Sequence, residues 1–113
     1  MTRDLTKDEK ILTSFLLQKL NLVTELPDRV EQLDDGGMGT IRFLFDNASI
    51  DRKFQKDLIQ VAYKDEDNIA VLITLTLDNF NNLFELDFWK TDFSSLKVYP
   101  TPDKVELMQL PTT

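Results

Sequence analysis

An α+β fold follows from three features of the sequence. Apolar residues near the start recur at helical spacing, the period switches to two from Arg29 onward, and short Asx- or Gly-rich breaks separate the alternating runs. One amphipathic helix needs an apolar platform, and a sheet with one apolar face supplies it. The predicted architecture is a single α+β domain over residues 1–113. An N-terminal helix at about 7–20 packs on a curled antiparallel β-meander of about five strands at about 29–89, followed by a Pro-containing tail at about 94–113.

Thr6-Lys-Asp-Glu9 reads as a capping box, in which the Thr6 hydroxyl and the Glu9 carboxylate satisfy each other's backbone N–H groups. Ile11, Leu12, Phe15, Leu16 and Leu20 then form one apolar stripe. Asp8 and Glu9 in the first turn suit the helix dipole, Asn21 is a stop signal, and Pro27 rules out continuation. Val30 to Leu33 reads as a short strand. Thr40 to Asp46 alternates, with Ile41, Phe43 and Phe45 on one face and Arg42 and Leu44 on the other. Asn47 to Asp51 is a loop or a single turn. The third strand spans Leu58 to Lys64, with Phe54 as its earliest start.

Asp65-Glu-Asp-Asn68 is a turn, because Asp and Asn bond to their own backbone and tolerate tight conformations. Ile69 to Leu77 is the strongest strand, with Ile69, Val71, Ile73, Leu75 and Leu77 on one face. Asp78 to Asn82 is a second Asx-rich turn. In Leu83 to Trp89, Phe84, Leu86 and Phe88 face in while Glu85, Asp87 and Trp89 face out. Pro100, Pro102 and Pro111 make the tail mostly loop, and Val105 to Leu110 is either a short edge strand or one helical turn.

Composition narrows the chemistry. The chain has no cysteine and no histidine. No Ser-His-Asp or Cys-His site and no His-containing zinc site can form from such a chain, so acid–base work near neutral pH would need a shifted carboxylate or lysine. Zero cysteine fits a reducing compartment, and the charged start MTRDLTKDEK does not read as a signal peptide. The longest apolar run, Ile69 to Leu77, is far shorter than the ~20 residues a helix needs to cross a bilayer. These features point to a cytoplasmic protein. The net charge of −7 repels nucleic acid and anionic lipid, serves solubility, and favours a basic protein partner.

All 3 glycines fall in DDGGMG, at Gly36, Gly37 and Gly39. A phosphate-binding loop would need Gly-Lys-Ser/Thr after the glycines, and a dinucleotide fingerprint would need glycine where Arg42 stands; both would open a helix, whereas a strand follows here. Asp34 and Asp35 would also repel a phosphate. The reading is a structural hairpin loop closed by positive φ values, with Met38 tucked against the core; a backbone anion nest is the alternative.

DGGMG before an apolar strand, together with Glu85, Leu86, Asp87, Trp89, Lys90, Asp92, Phe93 and Ser94 in the pattern ELDxWKxDFS, resembles a small family of uncharacterised bacterial domains. The resemblance covers most of the chain and implies a one-domain bacterial protein with no activity attached. The chain departs from that pattern in having Asp67-Asn68 and Asn81-Asn82 where Asp-Gly turns are usual.

The remaining candidates are on the sheet. Glu85 and Asp87 share a face at roughly 6.5–7 Å, a separation that a carboxylate-dependent hydrolase could use. No cleft is predicted there, and a solvated sheet face explains the same residues. Neither Asp65-Glu-Asp-Asn68 nor Asp78 onward meets the spacing of a calcium loop, so no metal, cofactor or catalytic residue is assigned. Trp89 either sits outward as an interface anchor or caps the core beneath the tail. The predicted interaction face comprises Thr74, Thr76, Glu85, Asp87, Trp89 and Lys90. The expected function is a non-enzymatic acidic protein-binding module, for example an immunity-type inhibitor of a basic toxin. The alternatives are a small hydrolase using Glu85 and Asp87, and a self-associating structural domain.

Overall fold

The structure is a computed structural model describing residues 1–45 and 51–108. Among these, one α-helix and seven strands are found, in the order β1 Thr2–Asp4, α1 Lys7–Lys19, β2 Arg29–Gln32, β3 Ile41–Leu44, β4 Phe54–Lys64, β5 Ala70–Asp78, β6 Leu83–Lys90 and β7 Glu106–Met108. A single turn of 3-10 helix, Pro102–Lys104, precedes β7. The strands form one antiparallel sheet in the order β1-β2-β3-β6-β5-β4-β7.

The expectation of an α+β fold stands, but the five-strand meander is corrected to seven strands. Both extra strands are edges of three residues, too short to show a period. The sheet is also not one meander. β4, β5 and β6 are joined by hairpins, and β6 returns to lie beside β3. The end of the predicted β3 at Asp46, the loop 47–50 and the last residues of the tail lie outside the described residues.

The helix starts as its capping box dictates. The Glu9 N–H donates to Thr6 Oγ1 at 3.1 Å, and the Thr6 N–H donates to Glu9 Oε1 at 2.9 Å. It ends at Asn21, whose φ of 55° is left-handed; Leu22 N–H donates to the Leu17 carbonyl and Asn21 N–H to the Gln18 carbonyl, so these two carbonyls of the last turn are satisfied. The buried stripe is rotated from the expected one: Leu12, Thr13, Leu16 and Leu17 are buried, while Ile11 is exposed.

Against that stripe lies the inner face of the sheet. Val61, Ile73 and Phe88 occupy one rung across β4, β5 and β6, and Ile59, Leu75, Leu86 and Ile41 occupy another that reaches β3. The next rung holds Tyr63, Val71 and Lys90, so strand alternation turns Lys90 inward.

Lys90 is fully buried, and so is Asp65 in the β4–β5 turn. The Lys90 ammonium donates to Asp65 Oδ2 at 2.9 Å, to Asp67 Oδ2 at 2.6 Å and to the Ser95 carbonyl at 3.1 Å, using all three protons. Burial works against its charge, but the Asp67 and Asp65 carboxylates outweigh it and hold Lys90 above the usual lysine range. Asp65 also accepts backbone N–H groups from Glu66, Lys97 and Val98. Burial pushes its carboxyl up, yet these donors and Lys90 bring it down to about 2. One cluster thus ties the end of β6, the β4–β5 turn and the tail together.

The glycine loop meets the same cluster from the other side. Gly36, Gly37 and Gly39 have φ of 75°, 81° and 109°. The Leu96 N–H donates to the Gly37 carbonyl, and a Cβ on Gly37 would stand 3.1 Å from Ser95 Cβ. The loop therefore needs glycine at position 37 for close approach of the tail as well as for its φ. Asp35 closes the loop by accepting from Met38 and Thr40 N–H, and Met38 Sδ accepts the Lys90 N–H at 3.3 Å. DGGMG and the WKxDFS segment are in this way one contact. The tail continues onto the helix side, where Tyr99 packs on Phe88 with ring centroids 5.3 Å apart.

Removing the cation should be far more damaging than its surface-like sequence context suggests. Lys90→Met leaves two carboxylates, one of them fully buried, without their counter-charge and is expected to lower Tm by on the order of 10 °C. The acid limb has a definite sign as well. Asp65 is depressed in the folded state, so its contribution is present above the unfolded value of about 3.9 and is lost as pH falls toward about 2. Thermal melts between pH 2 and 6 should show that loss in wild type and a shallower one in Asp65→Asn; parallel curves would contradict the assignment.

Candidate functional site

With Lys90 inward, its neighbour Trp89 faces out. Trp89 pairs across the sheet with Leu72, and Asp87 pairs with Thr74, which faces Gln60 on β4. Glu85 faces Arg42 on β3. These rungs form the outer side of the sheet, opposite the helix.

Each predicted face residue has a clear place. Trp89 is 44 % exposed, so the described part of the tail does not bury it. Glu85 and Asp87 are half-buried. Lys90 lies on the opposite side of the sheet and cannot contribute to this face. Thr74 and Thr76 are on the outer side but buried, and both are engaged. Thr74 Oγ1 accepts from Gln60 Nε2 at 2.9 Å. Thr76 Oγ1 accepts the Glu85 N–H at 3.0 Å and donates to the Glu85 carbonyl at 3.3 Å, bridging β5 and β6 where their register shifts. They are sheet fasteners beneath the face rather than groups presented by it.

Three residues outside the predicted set complete the arrangement. Thr40, just before β3, accepts the Phe88 N–H at 3.0 Å, and its hydroxyl proton is shared between the Phe88 carbonyl at 3.3 Å and Asp87 Oδ1 at 3.4 Å. Arg42 donates through Nε to Glu85 Oε2 at 2.9 Å, with its guanidinium carbon 4.7 Å from the Phe84 ring centroid. Phe93 lies beside Trp89, the ring centroids 6.2 Å apart and the planes tilted by 48°. Phe93 is 68 % exposed and has a φ of 64°. A bulky side chain in the left-handed region is strained. The turn hydrogen bond from Phe93 N–H to the Lys90 carbonyl, 2.8 Å, helps hold it there.

The electrostatics single out Asp87. Glu85 is matched by Arg42, whereas Asp87 has no ion-pair partner among the described residues. Burial raises its carboxyl above the ordinary range, Glu85 adds to this, Asp35 and Asp57 contribute further, and the Thr40 hydroxyl opposes them. The sheet face is therefore acidic around an exposed aromatic pair.

Neither Glu85 nor Asp87 lines the principal clefts of the described residues, which range from 210 to 480 Å³. Among the described residues no group of three or more acidic side chains is arranged to hold a metal ion, and no helix is long and apolar enough to cross a membrane.

Sequence comparison places the chain in a family. Residues 2–100 match the family described as Domain of unknown function (DUF6984), and the chain belongs to it. No curated protein and no solved structure matches the chain. The matched span includes the glycine loop, the Lys90 cluster and the Trp89–Phe93 pair, and ends before β7.

Because the folded state raises the Asp87 pKa, its favourable contribution is complete below the unfolded value of about 3.9 and is lost as pH rises through the folded value. Ionised Asp87 opposes folding at neutral pH. Asp87→Asn is expected to raise Tm by about 2–4 °C at pH 7, with the difference vanishing near pH 3. An unchanged or lowered Tm at pH 7 would contradict this account of the face.

Proposed function

For this member of the DUF6984 family we propose a non-enzymatic role as a small acidic binding module that docks a basic protein through the outer side of its sheet. The observation that carries the reading is the exposed Trp89–Phe93 pair beside Asp87, which has no cationic partner among the described residues. Exposed aromatics ringed by polar groups have the composition of interface hot spots, and a desolvated acidic group selects an opposite charge. The net charge of −7 would steer such a partner from a distance. An immunity-type inhibitor of a basic toxin is one concrete form. The resemblance to bacterial domains and the absence of cysteine favour a bacterial cytoplasmic setting, and the acidic balance argues against nucleic acid and anionic membrane as partners.

A small hydrolase is the second reading, and the raised Asp87 carboxyl is the observation in its favour. Against it stand the ion pair that occupies Glu85 and the position of both carboxylates outside the principal clefts described above. Self-association is a third reading, with the β1 and β7 edges available for strand pairing.

Affinity capture from native-host lysate tests the first reading, with wild type beside Trp89→Ala and Asp87→Lys variants confirmed as folded. A basic protein retained by wild type, weakened about thirtyfold or more by Trp89→Ala and released by moderate salt is expected. Capture indifferent to both variants would refute docking by this face.

A further inference from the structure

The outer face contains one arginine site that is filled and a second of the same chemistry that is not. At the filled site, Arg42 lies over the Phe84 ring and pairs through its guanidinium with Glu85. Farther along the same strand, Trp89 offers the larger ring and Asp87 the carboxylate, and no cationic side chain of the chain pairs with Asp87 among the described residues. Phe93 stands at 48° to Trp89 with a centroid separation of 6.2 Å, which leaves the two rings as an open V rather than a closed stack. The position of Phe93 needs explaining, since a φ of 64° is unfavourable for a phenylalanine and the residue is still 68 % exposed.

We propose that Trp89, Phe93 and Asp87 form a receptor for one arginine side chain of the basic protein partner, the guanidinium lying against the aromatic V and pairing with the Asp87 carboxylate. The inference rests on the docking-face reading above and names the chemistry that reading leaves open. Arginine fits better than lysine. Its planar guanidinium stacks on an indole and offers paired N–H donors to a carboxylate at the same time, whereas an ammonium is a compact, strongly hydrated point charge. An arriving cation also relieves the crowding of Asp87 by Glu85.

The chain has a single tryptophan, so its emission reports on this site alone. The probes are short synthetic peptides identical except for one central arginine or lysine, titrated into the full chain at fixed ionic strength, with amide NMR spectra recorded in parallel. The arginine peptide is expected to change Trp89 emission saturably and to bind about fivefold tighter than the lysine peptide. Asp87→Asn should weaken the arginine peptide about tenfold and largely remove the preference. Phe93→Gly, whose backbone suits the left-handed position, should weaken it while leaving the fold intact. Equal binding of both peptides at the outer face, seen as shifts at Thr40, Arg42 and Glu85, would overturn the arginine receptor and leave the docking face standing. Shifts at that face from neither peptide would overturn both.

Discussion

The structure depends on one buried ammonium. Lys90 sits where the inner face of the sheet runs out, and its three protons go to Asp65, Asp67 and the Ser95 carbonyl. Each acceptor belongs to a different part of the chain from β6 itself: the β4–β5 turn supplies the carboxylates and the tail supplies the carbonyl. An ion pair taken out of water gains little net stability unless its remaining bonds are satisfied. Here Asp65 takes three backbone N–H groups in addition to the lysine, two of them from the tail. The cluster is best understood as a register lock. A strand slipped by one residue would bury Trp89 where Lys90 lies and expose the cation, turning every side chain of β6 to the wrong side.

That lock has a consequence on the other side of the sheet. Holding Lys90 in holds Trp89, Asp87 and Glu85 out. The loop that carries the three glycines packs against the tail, and the tail is thereby drawn toward the helix instead of across the outer face. Inner and outer sides then differ in character. On the inner side the Lys90 and Asp65 charges are matched in full, while the Thr13 and Tyr99 hydroxyls are buried without a hydrogen-bond partner among the described residues. The outer side keeps features that work against stability: a raised carboxyl on Asp87 and a left-handed phenylalanine at position 93. Local departures of this kind concentrate where a surface is used, because function and stability make different demands on the same residues.

Much of the fold was legible because it rests on local rules. The capping box at Thr6 and Glu9 marks the helix start, Asn21 marks its end, and alternation in β5 and β6 assigns most of their faces, including the outward Trp89; Phe84, expected to face in, is the exception, because the register shift pairs Leu83 with Leu77 and leaves the Phe84 ring beneath Arg42. β1 was not legible, since three residues show no period, and β7 was legible only as one of two readings of Val105 to Leu110, the edge strand rather than the helical turn. The pairing of β3 with β6 was not legible, because short connections between neighbours in sequence suggest hairpins only, and this contact spans the whole β4–β5 hairpin. Thr74 and Thr76 have the right parity for the outer face, but parity does not reveal a hydroxyl already committed to Gln60 or to a register shift. Lys90 is the most instructive case. Alternation alone turns it inward, yet lysine is rarely buried, and the carboxylates that make burial tolerable lie 25 and 23 residues away. Phe93 carried no sequence signal for its backbone, since nothing in phenylalanine announces a positive φ.

The central claim is that Lys90 is inside and Trp89 outside. Native-state amine labelling read by peptide mass spectrometry tests it most directly. The account predicts that Lys90 resists modification under conditions that label exposed Lys53 and Lys97, and that it reacts only once the chain unfolds. Labelling of Lys90 at the rate of Lys97 in folded protein would contradict the buried cluster, the register it fixes and the outward face built on that register.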